Sequence, residues 1–289
     1  MSVYPAESFA DDVQRRVYEY VERNGAVAPA ELERSIRIET GRPDSKPARS
    51  GAYTETVPAE SAALESCIEA LKADGYLTED DGRLRVALSA TPTDLECEDG
   101  SVTIRPAREE DRSGIVETMR AVAADGTYVV AENVAAELER ESALVRANEE
   151  RSRVFFVAVR EPEAGADEAA EGENDDVEDR AQATDGEVVG WLHIDAPELP
   201  SLRHTAELTV GVDQDYRRQE IGSSLLEYGR EWAADEGYRK IYQHVPATNE
   251  TALEFLEANG WQREGEHEGQ YCIDDEFVDE IMLATWLDG

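Results

Sequence analysis

Residues 207–237 constrain this chain more than any other stretch. Leu208-Thr209-Val210-Gly211-Val212 has the apolar, β-branched character of a buried strand, and the polar run from Asp213 to Glu220 follows it. Ile221, Leu225, Tyr228 and Trp232 then recur at helical spacing until Gly237. A strand that turns through Arg217, Arg218 and Gly222 into a helix N-terminus is built to hold an anion. Unsatisfied backbone N–H groups point outward there, the helix dipole favours negative charge, and the guanidinium groups add donors. The segment predicts a phosphate-bearing ligand.

The two arginines stand out against the composition. The chain has 66 acidic and 28 basic residues, for a formal net charge of -38. Its lysines are Lys46, Lys72 and Lys240, and its other bases are arginines. Acids are spread over every segment, so no single tail skews the total. An acidic, lysine-poor surface fits molar salt, where screening tolerates self-repulsion. The expectation is a cytoplasmic protein of haloarchaeal type. Such a charge disfavours non-specific nucleic-acid or anionic-membrane binding. No stretch approaches the ~20 apolar residues that span a bilayer, and residues 1–13 lack the apolar core of an export signal. Cys67, Cys97 and Cys272 form no disulfide or zinc pattern, and no metal is expected.

Residues 1–90 carry 17 acids and 11 bases, which leaves 49 and 17 for the remainder. The polar, Pro- and Gly-punctuated stretch 91–100 reads as a linker between two domains. In the first, Phe9, Val13, Val17, Tyr20 and Val21 mark a helix ended by Asn24-Gly25, and Pro29 opens a second helix reaching Ile36. Leu64, Ile68 and Leu71 mark a third, which stops at Gly75. Tyr76-Leu77-Thr78 and Leu84-Arg85-Val86 then flank Asp81-Gly82 as a hairpin. Three helices and a hairpin resemble a small winged helix-turn-helix domain. Arg34, Arg37, Arg42, Lys46 and Arg49 favour DNA binding, but the third helix presents Glu60, Glu65, Glu69 and Asp74, so DNA is disfavoured as a partner.

The second domain alternates strands and helices. Strands are expected at Val102-Thr103-Ile104, at 154–159 and at 188–194. Helices are expected around Ile115, Met119 and Val122 and over about 133–148. Residues 161–187 hold 12 acids and one base and read as a disordered acidic insertion.

Residues 212–226 resemble the acetyl-CoA-binding motif of the GNAT superfamily of N-acyltransferases, Arg/Gln-x-x-Gly-x-Gly/Ala, with Arg217 first and Gly222 last. Asn249-Glu250-Thr251-Ala252, with Gly260-Trp261 after it, is similar to the family's next helix, and 104–111 to its opening strand and helix. The three matches occur in the family's order. The resemblance implies an α+β fold: a C-terminal mixed sheet flanked by helices, preceded by the winged-helix-like domain. It implies that the fourth and fifth strands of that sheet part to admit acetyl-CoA. The pyrophosphate would rest on the amides of Arg218, Gln219, Ile221, Gly222 and Ser223 beside Arg217, the pantetheine would pair with Val210 and Val212, and Asn249 would touch its arm. The acetyl group would pass directly to an amine of a protein or small molecule, and the family also admits a homodimer.

Two residues depart from the pattern. Glu220 stands at the motif's first glycine, and Leu256 stands where many relatives carry a tyrosine that protonates the departing thiolate. Tyr271 or water is left for that task. Glu207, opening the fourth strand, is the candidate general base. His193, His204 and His244 are titratable alternatives. Cys272 and Trp191, Trp232, Trp261 and Trp286 are read as packed residues, and Tyr128 as a contact to the acceptor. Degeneracy at Glu220 and Leu256 keeps open a CoA-sensing regulator that acts through the first domain.

Overall fold

The computed structural model describes residues 9–39, 56–58, 61–97, 100–124, 129–148, 151–161, 186–197, 199–273 and 275–287. Arg42, Lys46, Arg49, Glu60, Tyr128 and nearly all of the acidic insertion lie outside the described residues. The chain divides into two compact units, with the boundary at Ser89/Ala90.

In the first unit α1 (Asp12–Asn24), α2 (Pro29–Ser35) and α3 (Ser61–Ala73) are followed by β3 (Leu77–Asp80) and β4 (Arg83–Val86). Local chemistry sets the ends of α1. Asp11 accepts from the N–H groups of Val13 and Gln14, and Gly25 adopts φ 78 beyond the last turn. Asp81 and Gly82 both take positive φ, which the two-residue turn between β3 and β4 requires. Val17, Val21, Leu32, Leu64, Leu71 and Leu84 are fully buried and fill the core. Sequence periodicity missed a short antiparallel pair, β1 (Arg37–Glu39) with β2 (Thr56–Pro58).

The second unit is built on a nine-stranded sheet. Along it run β12 (Gln262–Ile273), β13 (Glu276–Trp286), β11 (Lys240–Pro246), β10 (Thr205–Val212), β9 (Glu187–Pro197), β8 (Arg151–Arg160), β6 (Gly100–Pro106) and β5 (Thr93–Cys97), with β7 (Arg146–Ala147) beside β8. Neighbours are antiparallel except β10 and β11. On one face α4 (Arg112–Ala123) and α5 (Val129–Leu138) bury Ile115, Met119 and Ala135 against Phe155, Val157 and Trp191. On the other, α6 (Ile221–Asp235) sets Tyr228 and Trp232 edge-on to Phe156, with centroids 5.3 and 5.4 Å away. Gly229 lets α6 approach closely, since a Cβ there would stand 2.7 Å from a Leu192 methyl. α7 (Glu250–Ala258) links β11 to β12.

Several expectations need correction. Residues 93–97 of the expected linker pair with β6 as the edge strand β5; their polar alternation reflects an exposed edge rather than a tether. The helix expected at 133–148 is α5, which begins earlier and ends at Leu138, because the chain then turns into β7. Trp286 is 61% exposed, with Lys240 Nζ 5.8 Å from its ring centroid, and Cys272 is exposed on β12 rather than packed.

Candidate active site

β10 and β11 run parallel but pair only through Thr205/Lys240, Ala206/Ile241 and Glu207/Tyr242. β10 continues to Val212 and β11 to Pro246, each still paired with its outer neighbour, β9 and β13. Beyond Glu207 and Tyr242 the two strands therefore bound a cleft inside the sheet. Each side is held straight by its outer partner while the inner edges do not pair with each other.

The wide end of the cleft meets the N-terminus of α6. No side chain caps this helix, and its first turn carries no acidic residue, in contrast to α1 with Asp11 and α7 with Asn249. Its first N–H groups are left for another acceptor. Arg217 Nε donates to the carbonyl of Val212 at 3.1 Å, fixing the turn against the end of β10. Arg217 and Arg218 are exposed, and among the described residues neither guanidinium pairs with a carboxylate. In a chain of net charge -38 that is an unusual electropositive spot. Arg218 and Glu220 adopt φ 67 and 63, the left-handed conformation that favours glycine. Glu220 thus keeps the backbone shape of the glycine it replaces. A Cβ on Gly222 would meet only ordinary contacts, 3.5 Å from Phe255 and Val212, so this glycine keeps the helix end open toward α7.

These features suit an anion at the helix N-terminus, with unpaired backbone on two facing strand edges beside it. Backbone donors and guanidinium groups there could hold such an anion. Val210 is buried, Val212 is half-buried, and Gln219 accepts a weak contact at its carbonyl from Cys97 Sγ at 3.9 Å. Asn249 spends its side-chain oxygen on α7, accepting from Ala252 N–H at 3.1 Å. Leu256 is buried.

At the narrow end stands a group of polar side chains from five strands. Glu207 is half-buried, and burial pushes its carboxyl above the usual carboxylate range, with His244 opposing and Asp195 and Glu280 reinforcing the rise. Tyr242, on the last paired rung, is also pushed up by burial and by Glu207. Glu280, on β13, is 6% exposed. Tyr271 O–H donates to its Oε1 at 2.6 Å, and His267 Nδ1 lies 2.9 Å from its Oε2. His244 Nδ1 lies 3.0 Å from the same Oε2, near enough to pair charge but off the line of a good hydrogen bond. Burial opposes ionisation of Glu280, but the contacts from Tyr271, His267 and His244 outweigh it and hold the carboxyl below its usual range. Tyr271 is pushed up by burial and by this bond, which suits it better to anchoring Glu280 than to protonating a thiolate. On β9, Asp195 is clasped by Arg151 through two 2.7 Å bonds.

The remaining histidines lie apart. His193 is buried and stacked on Phe155 at 4.6 Å, and its nitrogens find no partner among the described residues. Desolvation drives its imidazole down to about 3. His204 lies in the exposed turn before β10. Sequence reading placed Glu207 and Tyr271 here but passed over Glu280 and His267, which only the β11–β13–β12 register assembles. Among the described residues no cluster of His, Cys, Asp and Glu could hold a metal ion, and no helix is long and apolar enough to cross a membrane.

Residues 143–261, which run from β7 through the cleft, the cradle and α7, match the family model of the Acetyltransferase (GNAT) family. No curated protein matches. Among solved structures, an acetyltransferase of the GNAT family from Streptococcus pneumoniae aligns at 19% identity and TM-score 0.46, covering 64% of this chain and 99% of its own. The yncA protein of Salmonella typhimurium, solved with its cofactor acetyl-CoA, aligns at 17% identity and TM-score 0.46, covering 65% and 95%. A ribosomal-protein-alanine N-acetyltransferase from Brucella melitensis aligns at 19% identity and TM-score 0.44, covering 64% and 99%. Over 143–261 the chain is thus similar to the acetyltransferase (GNAT) family, a similarity that supports an acyltransferase.

Proposed function

We propose that this protein transfers the acetyl group of acetyl-CoA directly to an amine of a protein or small molecule. The observation that carries the reading is the parting of β10 and β11 beyond Glu207/Tyr242, toward the uncapped N-terminus of α6 and two arginines with no carboxylate partner among the described residues. In this reading Arg217, Arg218, Gln219, Ile221, Gly222 and Ser223 cradle the diphosphate. Val210 and Val212 line the pantetheine arm, and Asn249 sets the end of α7 beside it. The thioester then lies toward the narrow end, where Glu207 takes a proton from the arriving ammonium ion and Tyr271 braces Glu280.

The first unit serves as a winged-helix-like module. The exposed Glu65, Glu69 and Asp74 of the α3 region favour a protein contact over DNA. The charge balance supports a cytoplasmic, salt-adapted protein, and a homodimer is compatible with it. The test is calorimetric titration of acetyl-CoA into the full chain in molar KCl. CoA release is then followed with small alkylamines, a lysine peptide and a peptide with a free α-amine. Binding with amine-dependent release supports the reading, and no binding to the folded protein refutes it. A second reading, a CoA sensor without turnover, is favoured by the carboxylate of Glu220 in the cradle. Binding without release for any amine would select it.

A further inference from the structure

Acetyl transfer to an ammonium ion, RNH3+ + CH3CO-SCoA → RNHCOCH3 + HSCoA + H+, needs two proton movements. One proton must leave nitrogen before attack. A second must leave nitrogen after the N–C bond forms, while the departing sulfur gains one. Glu207 can serve the first. We propose that His244, positioned by Glu280, serves the second, accepting the proton from nitrogen and returning it to the thiolate as the C–S bond breaks. This rests on the acetyl-transfer reading above and assigns a proton-transfer group that neither Leu256 nor Tyr271 supplies.

Position is the first argument. Tyr242 is on the last rung that β11 shares with β10, and His244 is two residues further along the same face. It therefore stands in the open part of the cleft, just past its narrow end. Orientation is the second. Nδ1 is turned to Glu280 Oε2 at 3.0 Å, and the ring stands edge-on to Tyr242 at 5.6 Å and 89°. Nε2 finds no partner among the described residues. Glu280 is itself immobilised, with Tyr271 on one oxygen and His267 on the other, so β11, β12 and β13 all converge on one carboxylate.

Charge is the third argument. His244 shares the surroundings of two carboxylates: Glu207 on β10, which also feels Asp195 on β9, Glu280 on β13 and Arg151 on β8, and Glu280, which is touched by His267 and Tyr271 on β12. Arg151 is drawn away by Asp195 and Glu137, which leaves a net negative surround. A histidine side chain can both accept and donate a proton in such a step. A carboxylate that merely satisfied buried groups would need no histidine in the cleft. Here two histidines share one oxygen, and one of them stands where the acyl group would be.

The experiment uses the full chain, acetyl-CoA and the best amine from the screen above, with water as acceptor for a second rate. His244→Ala should lower kcat by about 100-fold with KM and the acetyl-CoA Kd within twofold of wild type, and added imidazole should restore at least tenfold. His244→Gln serves if the alanine variant melts early. Glu280→Gln should flatten the pH profile of kcat, and Glu280→Asp should recover it in part. Unchanged kcat in active protein overturns the inference alone, as does a loss that imidazole does not restore. Wild-type protein that binds acetyl-CoA but transfers to no acceptor overturns the acetyl-transfer reading and this inference with it.

Discussion

Glu220 offers the sharpest test of the cradle, because its charge and its backbone act with opposite signs. The residue precedes α6 at φ 63 and ψ -2, is exposed, and makes no capping hydrogen bond. A side chain in left-handed backbone costs roughly 1–2 kcal/mol, of which glycine's freedom in the unfolded chain returns roughly 0.5–1. Glu220→Gly also loses the carboxylate's attraction to the helix dipole, about 0.3–1 kcal/mol, so it should change the stability of the fold by no more than about 1 kcal/mol in either direction. Glu220→Gln keeps the Cβ and loses only the attraction of a carboxylate to the helix dipole, a loss of about 0.3–1 kcal/mol. Ligand affinity should move the other way. A carboxylate roughly 6 Å from each of two phosphate charges, in a water-like dielectric, repels them by about 1.4 kcal/mol in all. Both variants should then bind acetyl-CoA about tenfold more tightly in dilute buffer. In molar KCl, where the screening length falls to about 3 Å, the gain should shrink below about twofold. Calorimetric titration at two salt concentrations, with denaturant melts alongside, reads all four numbers. Affinities unchanged by either variant in dilute buffer would show that the anion does not lie at this turn.

Further outcomes follow from the same geometry. Glu207→Gln should cut turnover about 100-fold with little change in acetyl-CoA Kd, and should raise stability at neutral pH, because a carboxyl held above its usual range stabilises the fold only while protonated. An unaltered rate removes Glu207 as the base. His193 is neutral in the fold and protonated in the unfolded chain below about 6.5, so it subtracts about 1.4 kcal/mol per pH unit from there down toward its folded value of about 3. His193→Phe should remove one proton from the acid-unfolding slope, and an unchanged slope would mean that the imidazole is not dry. Gly211→Ala should cost about 1–3 kcal/mol, since its Cβ would stand 2.9 Å from the indole of Trp191; an unchanged melt would show that the sheet yields there.

The legible part of this site was its local part. The run from Leu208 to Trp232 is one continuous strand, turn and helix, so periodicity was enough to place those elements and to set the two arginines at the turn. The narrow end was opaque because its members are distant in sequence. His244, His267 and Glu280 meet only through the β11–β13 and β12–β13 registers, and β12 carries register shifts between Arg263/Gly265 and His267/Tyr271 that alternation could not foretell. β5 was hidden for a different reason: an edge strand need not be apolar, and Thr93-Asp94-Leu95-Glu96-Cys97 has one large aliphatic side chain. Glu220 misled in the opposite sense. Its identity departs from the motif's glycine, while its φ of 63 shows that a carboxylate residue can adopt glycine's conformation at a modest energy cost.

The three-rung contact between β10 and β11 has a consequence for the protein without its ligand. Most sheets hide their unpaired edges at the periphery, where lysine, proline or a bulge can blunt them. Here the exposed edges are internal, and blunting them would abolish the cleft. A ligand arm lying between the strands would act as a missing strand, joining β11, β12, β13 and α7 to the rest of the sheet. Its departure leaves a seam along which the domain can part. Amide exchange at 243–246 should therefore report cleft occupancy more sharply than exchange in the continuous block from β6 to β9.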